Sequence, residues 1–170
     1  MNKKSTEHEA GPILAEIEKK FGFLPNLARE MAASPQVLQL YFKGNQFLEN
    51  TVLTPKEKQM VMLHVSVFNE CVYCQAAHTK GAQSLGVQIQ EIETLKKDRE
   101  ISTKRGKALC LATRLLLTKK GWLSENNLEE PESRGVDRRQ LFEIIGIIGL
   151  KTISNYINHI AGTEIDAVFQ

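Results

Sequence analysis

Thr54-Pro55-Lys56-Glu57, followed by the apolar run Met60-Val61-Met62-Leu63-His64-Val65-Ser66-Val67-Phe68, is the stretch on which the fold turns. A threonine before proline, with glutamate three residues on, is a helix start. The hydroxyl accepts from an otherwise unpaired N–H, the carboxylate answers to the cap's own N–H, and proline costs nothing at the first helical position. The run that follows is apolar nearly all round, so this helix belongs in the centre of the molecule.

Working outward, the chain reads as helix after helix. Upstream, Ile13, Leu14, Ile17 and Phe21 mark an amphipathic helix from Glu7 to Phe21, broken by Gly22-Phe23-Leu24-Pro25-Asn26. Ser34-Pro35 opens another, to Leu48. Downstream, Asn69-Glu70 interrupts the pattern and a helix from Cys71 to Leu85-Gly86 is predicted. Ser102 caps a further helix carrying Ala108, Leu109, Leu111, Ala112 and Leu115 to Leu117, which stops at Lys119-Lys120-Gly121. Trp122 to Gly135, rich in Glu, Asn and Pro, reads as a loop, and Asp137 with Gln140 starts a last helix to Ile160 in which Gly146 and Gly149 permit close packing. No alternating strand, repeat or low-complexity segment interrupts this pattern, and the expected fold is all-α.

With 170 residues, 42% hydrophobic and 25% charged, the chain is expected to form one globular domain with a core of its own. A net charge of +2, with basic residues scattered among acidic ones, argues against nucleic acid or a membrane surface as partner. No apolar stretch reaches the roughly 18 residues of a membrane span, and the polar start lacks the apolar run of a secretory signal. Three cysteines suit a reducing, cytoplasmic setting, where a Cys-x-x-Cys pair is catalytic or metal-binding more often than structural.

That pair is Cys71-Val72-Tyr73-Cys74, with His78 one turn later. On an ideal helix the two thiols and the imidazole fall within a sector of about 60°. Two thiols at this spacing can close a disulfide, and the imidazole can take the second thiol's proton. A helix starting at Cys71 also places both sulfurs in its first turn, where the dipole favours a thiolate. Cys74, nearest the base in sequence, is the expected nucleophile, and Cys71 the residue that resolves its oxidised product. Zinc at Cys71, Cys74 and His78 would need a fourth ligand; Cys110, His64 and His159 are the candidates, none at a recognisable spacing, and no metal is expected. A c-type haem needs histidine directly after the second cysteine, where Gln75 stands. Inert, buried cysteines are the remaining reading of the pair. Cys110, among Ala108, Leu109, Leu111 and Ala112, reads as core; His64 as a core or interface histidine; His159 as a helix-end or interface residue.

Leu53-Thr54-Pro55-Lys56-Glu57 leading to Asn69-Glu70-Cys71-Val72-Tyr73-Cys74-Gln75-Ala76-Ala77-His78 resembles the carboxymuconolactone decarboxylase superfamily, and within it the alkyl hydroperoxidase D-like, peroxidase-related branch. The likeness is specific over residues 53–86 and looser at Gly22–Asn26, Ser34-Pro35 and Asp137–Asp166. It implies an all-α helical bundle spanning residues 1–170 as one domain, assembled as a trimer or hexamer. It also implies cofactor-free reduction of hydroperoxides: the Cys74 thiolate becomes a sulfenic acid, Cys71 condenses with it, and an external dithiol, thioredoxin-like or lipoyl-type, resets the pair. His78 fits the family's base. The family pattern places a relay glutamate twelve residues before the first cysteine, and here that position is Gln59, which orients an imidazole but cannot shuttle a proton. Glu57 points about 200° away from Gln59 around its helix. Glu70 adjoins Cys71, Ser66 shares the face of Gln59, and Tyr73 fills a between-cysteine position that some relatives give to histidine. The relay is therefore rewired or weak, and modest activity is expected. Two other functions fit the same resemblance: lactone decarboxylation, which needs no dithiol, and a non-enzymatic oligomer whose contacts a disulfide switches.

Overall fold

The computed structural model describes residues 3–97, 99 and 101–170, with side chains from residue 8 onward. Among the described residues nine α-helices and no strand are present: α1 (Lys3–Phe21), α2 (Asn26–Met31), α3 (Pro35–Leu48), α4 (Pro55–Phe68), α5 (Val72–Ser84), α6 (Ile89–Lys96), α7 (Lys104–Lys119), α8 (Glu125–Ser133) and α9 (Arg138–Ala161). A closing 3-10 turn covers Ala167–Phe169. None of these helices is long and apolar enough to cross a membrane.

The helix α4 is central, as its composition dictates. It packs against α5, α6, α7 and α9, and Val61, Leu63, His64, Val65 and Ser66 on it are all buried. Its start is the expected capping box: Thr54 Oγ1 accepts from Glu57 N–H, and Glu57 Oε2 accepts from Thr54 N–H at 2.8 Å. Glu57 is held further by Arg105 of α7, whose Nε donates to Oε1 at 2.6 Å. Burial alone would raise the Glu57 pKa, but the Arg105 and Thr54 hydrogen bonds outweigh it and the carboxylate titrates below its ordinary range.

The sequence reading is corrected at three places. Trp122 to Gly135 is not a loop throughout, since α8 occupies Glu125–Ser133. Its polar composition hides a short helix whose start is tied by Asn127 Oδ1 accepting from Ser124 N–H, and whose Leu128 and Pro131 pack inward. The cap of α7 is Thr103 rather than Ser102, its hydroxyl accepting from Gly106 N–H at 3.1 Å. Two short helices, α2 and α6, went without a start signal: neither N-cap, Pro25 or Gln88, makes a side-chain capping bond. Both form because apolar residues, Leu27 and Met31 in one and Ile92 and Leu95 in the other, dock into the core. Tertiary burial outweighs weak local propensity there.

Of the two glycines expected to permit close packing in α9, Gly146 faces α3 with Leu48 Cδ2 at 3.3 Å from where a Cβ would stand, whereas Gly149 meets open space. A tighter approach between the same helices runs through Gly44, where a Cβ would come within 2.7 Å of Leu150.

Candidate active site

The site is built at the sharp junction between α4 and α5. Glu70 adopts a left-handed conformation (φ 56°), reversing the chain, and the Cys71 N–H then donates to Ser66 O at 2.9 Å. Cys71 becomes the N-cap of α5, so both thiols lie in its first turn. Each is about 1% exposed, and neither is in a disulfide.

Cys74 Sγ is surrounded by polar groups from one stripe of α9. Lys151 Nζ and Asn158 Nδ2 each donate from 3.3 Å, and Ser154 Oγ, which donates its own proton to Lys151 O at 3.0 Å, lies 3.7 Å away. The Asn158 amide also reaches Cys71 Sγ, at 3.7 Å. Hydrogen bonding from Cys71 favours charge on Cys74, burial opposes it, and the Lys151 ammonium with Ser154 tips the balance. The Cys74 thiol is pushed down to about 5. Cys71, donating to its neighbour and buried beside negative charge, moves in the opposite direction. One thiolate and one thiol therefore share the first turn. Burial works against the charge on Lys151, but Tyr41 and the two cysteines, the groups around it that can be negative, hold its pKa above the ordinary lysine value.

His78 and Gln59 are brought together as the family resemblance implied. His78 Nδ1 and Gln59 Oε1 are 2.9 Å apart. A carbonyl oxygen only accepts, so Nδ1 carries the proton and Nε2 the lone pair. Burial and the nearby Lys151 charge hold the His78 pKa well below the ordinary value, and the ring is neutral. Gly81 makes room for this pair: a Cβ there would stand 2.8 Å from Gln59 Oε1. Among the described residues, no hydrogen bond joins His78 to either thiol. The thiolate's polar partners are Cys71 and side chains of α9 instead, so the imidazole is not the group that holds the sulfur's charge in this structure.

Other residues singled out in the sequence have different surroundings. The Ser66 hydroxyl donates to Met62 O at 2.7 Å. Tyr73 OH donates to Asp166 Oδ2 at 2.5 Å, and Phe169 packs edge-on against its ring, so the C-terminal segment is fastened to the cysteine turn. Cys110 is buried in a separate cluster with Leu63, Ile92 and Leu95, and His64 is buried within α4. His159 is exposed on α9, its ring 6.3 Å from that of Tyr156. Among the described residues no group of three or more His, Cys, Asp or Glu side chains is placed to hold a metal ion.

A cavity of about 710 Å³ adjoins this site. Phe21, Leu38, Tyr41, Phe42, Met62 and Phe169 contribute to its largely apolar wall, and Gln59, Cys74, His78 and Lys151 also line it; Cys71 does not.

Lys151, Ser154 and Asn158 had no part in the sequence reading, although a signal was present. Lys151, Ser154, Asn155 and Asn158 recur at helical spacing, directly after the buried series Leu141, Ile144 and Ile147. The inward stripe of α9 thus changes from apolar to polar halfway along. A polar stripe in continuation of an apolar one marks a buried polar site rather than a solvent face.

Residues 35–102 match the carboxymuconolactone decarboxylase family. No curated protein sequence matches the chain significantly. Among solved structures, similarity extends over almost the whole chain. An uncharacterized peroxidase-related protein from Ralstonia eutropha, described as an alkylhydroperoxidase AhpD core, superposes with a TM-score of 0.80 at 20% identity, covering 92% of this chain and 84% of that one. An uncharacterized peroxidase-related protein from a Silicibacter species gives 0.78 at 21% identity, with 95% and 87% covered. The debrominase Bmp8 gives 0.73 at 17% identity, with 99% and 91% covered. The match across the cysteine turn makes residues 35–102 similar to the carboxymuconolactone decarboxylase family, and the chain as a whole shares the helical fold of the AhpD-like structures.

Proposed function

We propose that this protein is a thiol-dependent reductase of hydroperoxides. The observation that carries the reading is the Cys74 residue, its sulfur set 3.3 Å from a buried lysine and both residues lining one largely apolar cavity. The thiolate attacks the peroxide's terminal oxygen, the O–O bond breaks, and Cys74 becomes a sulfenic acid. Cys71, three residues earlier in the chain, condenses with it to a disulfide and releases water. An external dithiol then restores both thiols by exchange. Opposite shifts of the two cysteines suit this division, because the attacking sulfur is charged while the resolving one keeps its proton.

The two rival functions have less behind them. A disulfide that switches an oligomer contact calls for thiols at the surface, whereas both are about 1% exposed. Lactone decarboxylation makes no use of a thiolate, and the Bmp8 structure is a reminder that this fold serves more than one chemistry. The outward face of α9 exposes Phe142, Ile145, Tyr156 and Ile160, which favours assembly with further copies of the chain.

The test is peroxide consumption with a dithiol donor. Cys74→Ser is expected to abolish it, and Cys71→Ser to accumulate a sulfenic acid that dimedone traps. Wild-type turnover by Cys74→Ser would overturn the proposal. Lactone decarboxylation that survives thiol alkylation would put the namesake activity in its place.

A further inference from the structure

Breaking the O–O bond leaves a strongly basic oxygen that needs a proton, and the residues at this site differ in their ability to supply it. His78 is a poor source. Its Nδ1–H is committed to Gln59 Oε1 at 2.9 Å, and its Nε2 bears a lone pair. Gln59 has no proton to relay. Cys71 keeps its proton, which the disulfide step consumes later. Among the described residues, the one cationic donor in contact with the reacting sulfur is Lys151, about 1% exposed, with Nζ 3.3 Å from Cys74 Sγ and lining the same cavity.

We infer that Lys151 is the general acid of this site, delivering its ammonium proton to the oxygen that leaves when Cys74 is oxidised. This inference rests on the proposed peroxide chemistry and assigns its proton. The step balances as follows: the Cys74 thiolate, R–O–OH and the Lys151 ammonium give the Cys74 sulfenic acid, R–OH and the Lys151 amine. Sulfur loses two electrons, the O–O bond accepts them, and the proton passes from Nζ to the departing oxygen.

The structure supplies the trigger. The groups facing Lys151 are Cys71, Cys74 and His78 from α5, Tyr41 from α3, and Ser154 and Asn158 from its own helix. In the resting state the thiolate supports the buried ammonium. Attack removes the charge from sulfur and moves it to the leaving oxygen. With no negative sulfur beside it, the ammonium retains only the cost of its burial, which favours proton release. The neutral amine left behind can then take the Cys71 proton, and Cys71 no longer has a negative neighbour holding it on. Lys151 therefore serves both half-reactions. The rewired relay runs through α9 instead of through Gln59.

The experiment is single-turnover oxidation of Cys74 by organic hydroperoxides whose leaving alcohols span several units of acidity. Wild type is expected to show a rate almost independent of the leaving group, as assisted departure requires. Lys151→Arg keeps the positive charge and, with it, the acid-shifted alkylation profile of Cys74, but it holds its proton. Its rate should fall by about 100-fold or more and depend steeply on leaving-group acidity. Lys151→Met should lose both the alkylation shift and the flat dependence. Steep dependence in wild type, which needs no variant to fold, would overturn the inference, as would a Lys151→Arg profile as flat and fast as wild type. If no hydroperoxide oxidises wild-type Cys74, the proposed function itself falls and this assignment falls with it.

Discussion

Lys151 Nζ lies 3.3 Å from Cys74 Sγ although the two residues are 77 positions apart, and both are almost completely shielded from water. A lone buried ammonium or thiolate would be untenable; as a pair, each makes the other's charge tolerable.

Removing the cation should therefore neutralise the sulfur. In Lys151→Met the pH midpoint of Cys74 alkylation is expected to rise by about 1–3 units from its wild-type position near 5. Reactivity at pH 6 should fall accordingly. Folding should suffer little, because the thiol can protonate instead of remaining as an unpaired charge. An unchanged alkylation profile would show that the hydrogen bonds and the helix terminus hold the thiolate without Lys151.

The same pair ties stability to pH. The folded-state pKa of Cys74 lies below the unfolded value of ~8.5, so its contribution is complete above that value and is lost as pH falls toward about 5. Lys151 has the opposite sign: its raised pKa contributes fully below the unfolded lysine value and is lost as pH climbs through the folded one. The difference in melting temperature between wild type and Cys74→Ala should shrink when pH is lowered from 8.5 to 5. A difference that stays constant over that window would refute the ion pair.

Gln59→Glu should give His78 a proton to exchange. A carboxylate facing Nδ1 at the present 2.9 Å separation favours the imidazolium. The His78 titration, followed by NMR, should move upward, and a new limb from this residue should enter the pH–rate profile. Its absence would mean that the glutamate side chain turns away from the ring.

Gly81→Ala separates packing from tautomer control. Alanine gains up to about 1 kcal/mol in helix propensity, but its Cβ would stand 2.8 Å from Gln59 Oε1 and displace the amide. Stability should change little, while the ring-nitrogen shifts of His78 should report loss of the fixed tautomer. Retention of those shifts would show that Gln59 can move aside without releasing the ring.

Tyr73→Phe tests the C-terminal fastening. It removes the donor to Asp166, which would keep only the Asn26 N–H contacts at 3.1 and 3.2 Å. The expected cost is about 1–3 kcal/mol, with faster hydrogen exchange over residues 163–170. An unaltered exchange rate would mean that Phe169 packing alone seats the segment.

Helix starts were readable where a side chain spells them out. Thr54 with Glu57 and Asp137 with Gln140 are self-contained signals, satisfied within four residues of chain. The break at Asn69-Glu70 put both cysteines in the first turn of α5, and the family resemblance, not any local signal, set Gln59 opposite His78. Where no such signal exists, as at α2 and α6, or where composition suggests a loop, as at α8, burial of a few apolar side chains made the helix. Nothing local announces that.

From the sequence alone came the succession of helices, the central place of α4 and the cysteine turn, because 3.6-residue periodicity and capping act between residues a few positions apart. Which charge the thiol would meet was settled by the tertiary structure. Lys151, Ser154 and Asn158 come from a helix 77 to 84 residues further on. Only the packing of α9 across α5 turns their stripe inward, where shielding from water gives a single ammonium command of the sulfur's charge.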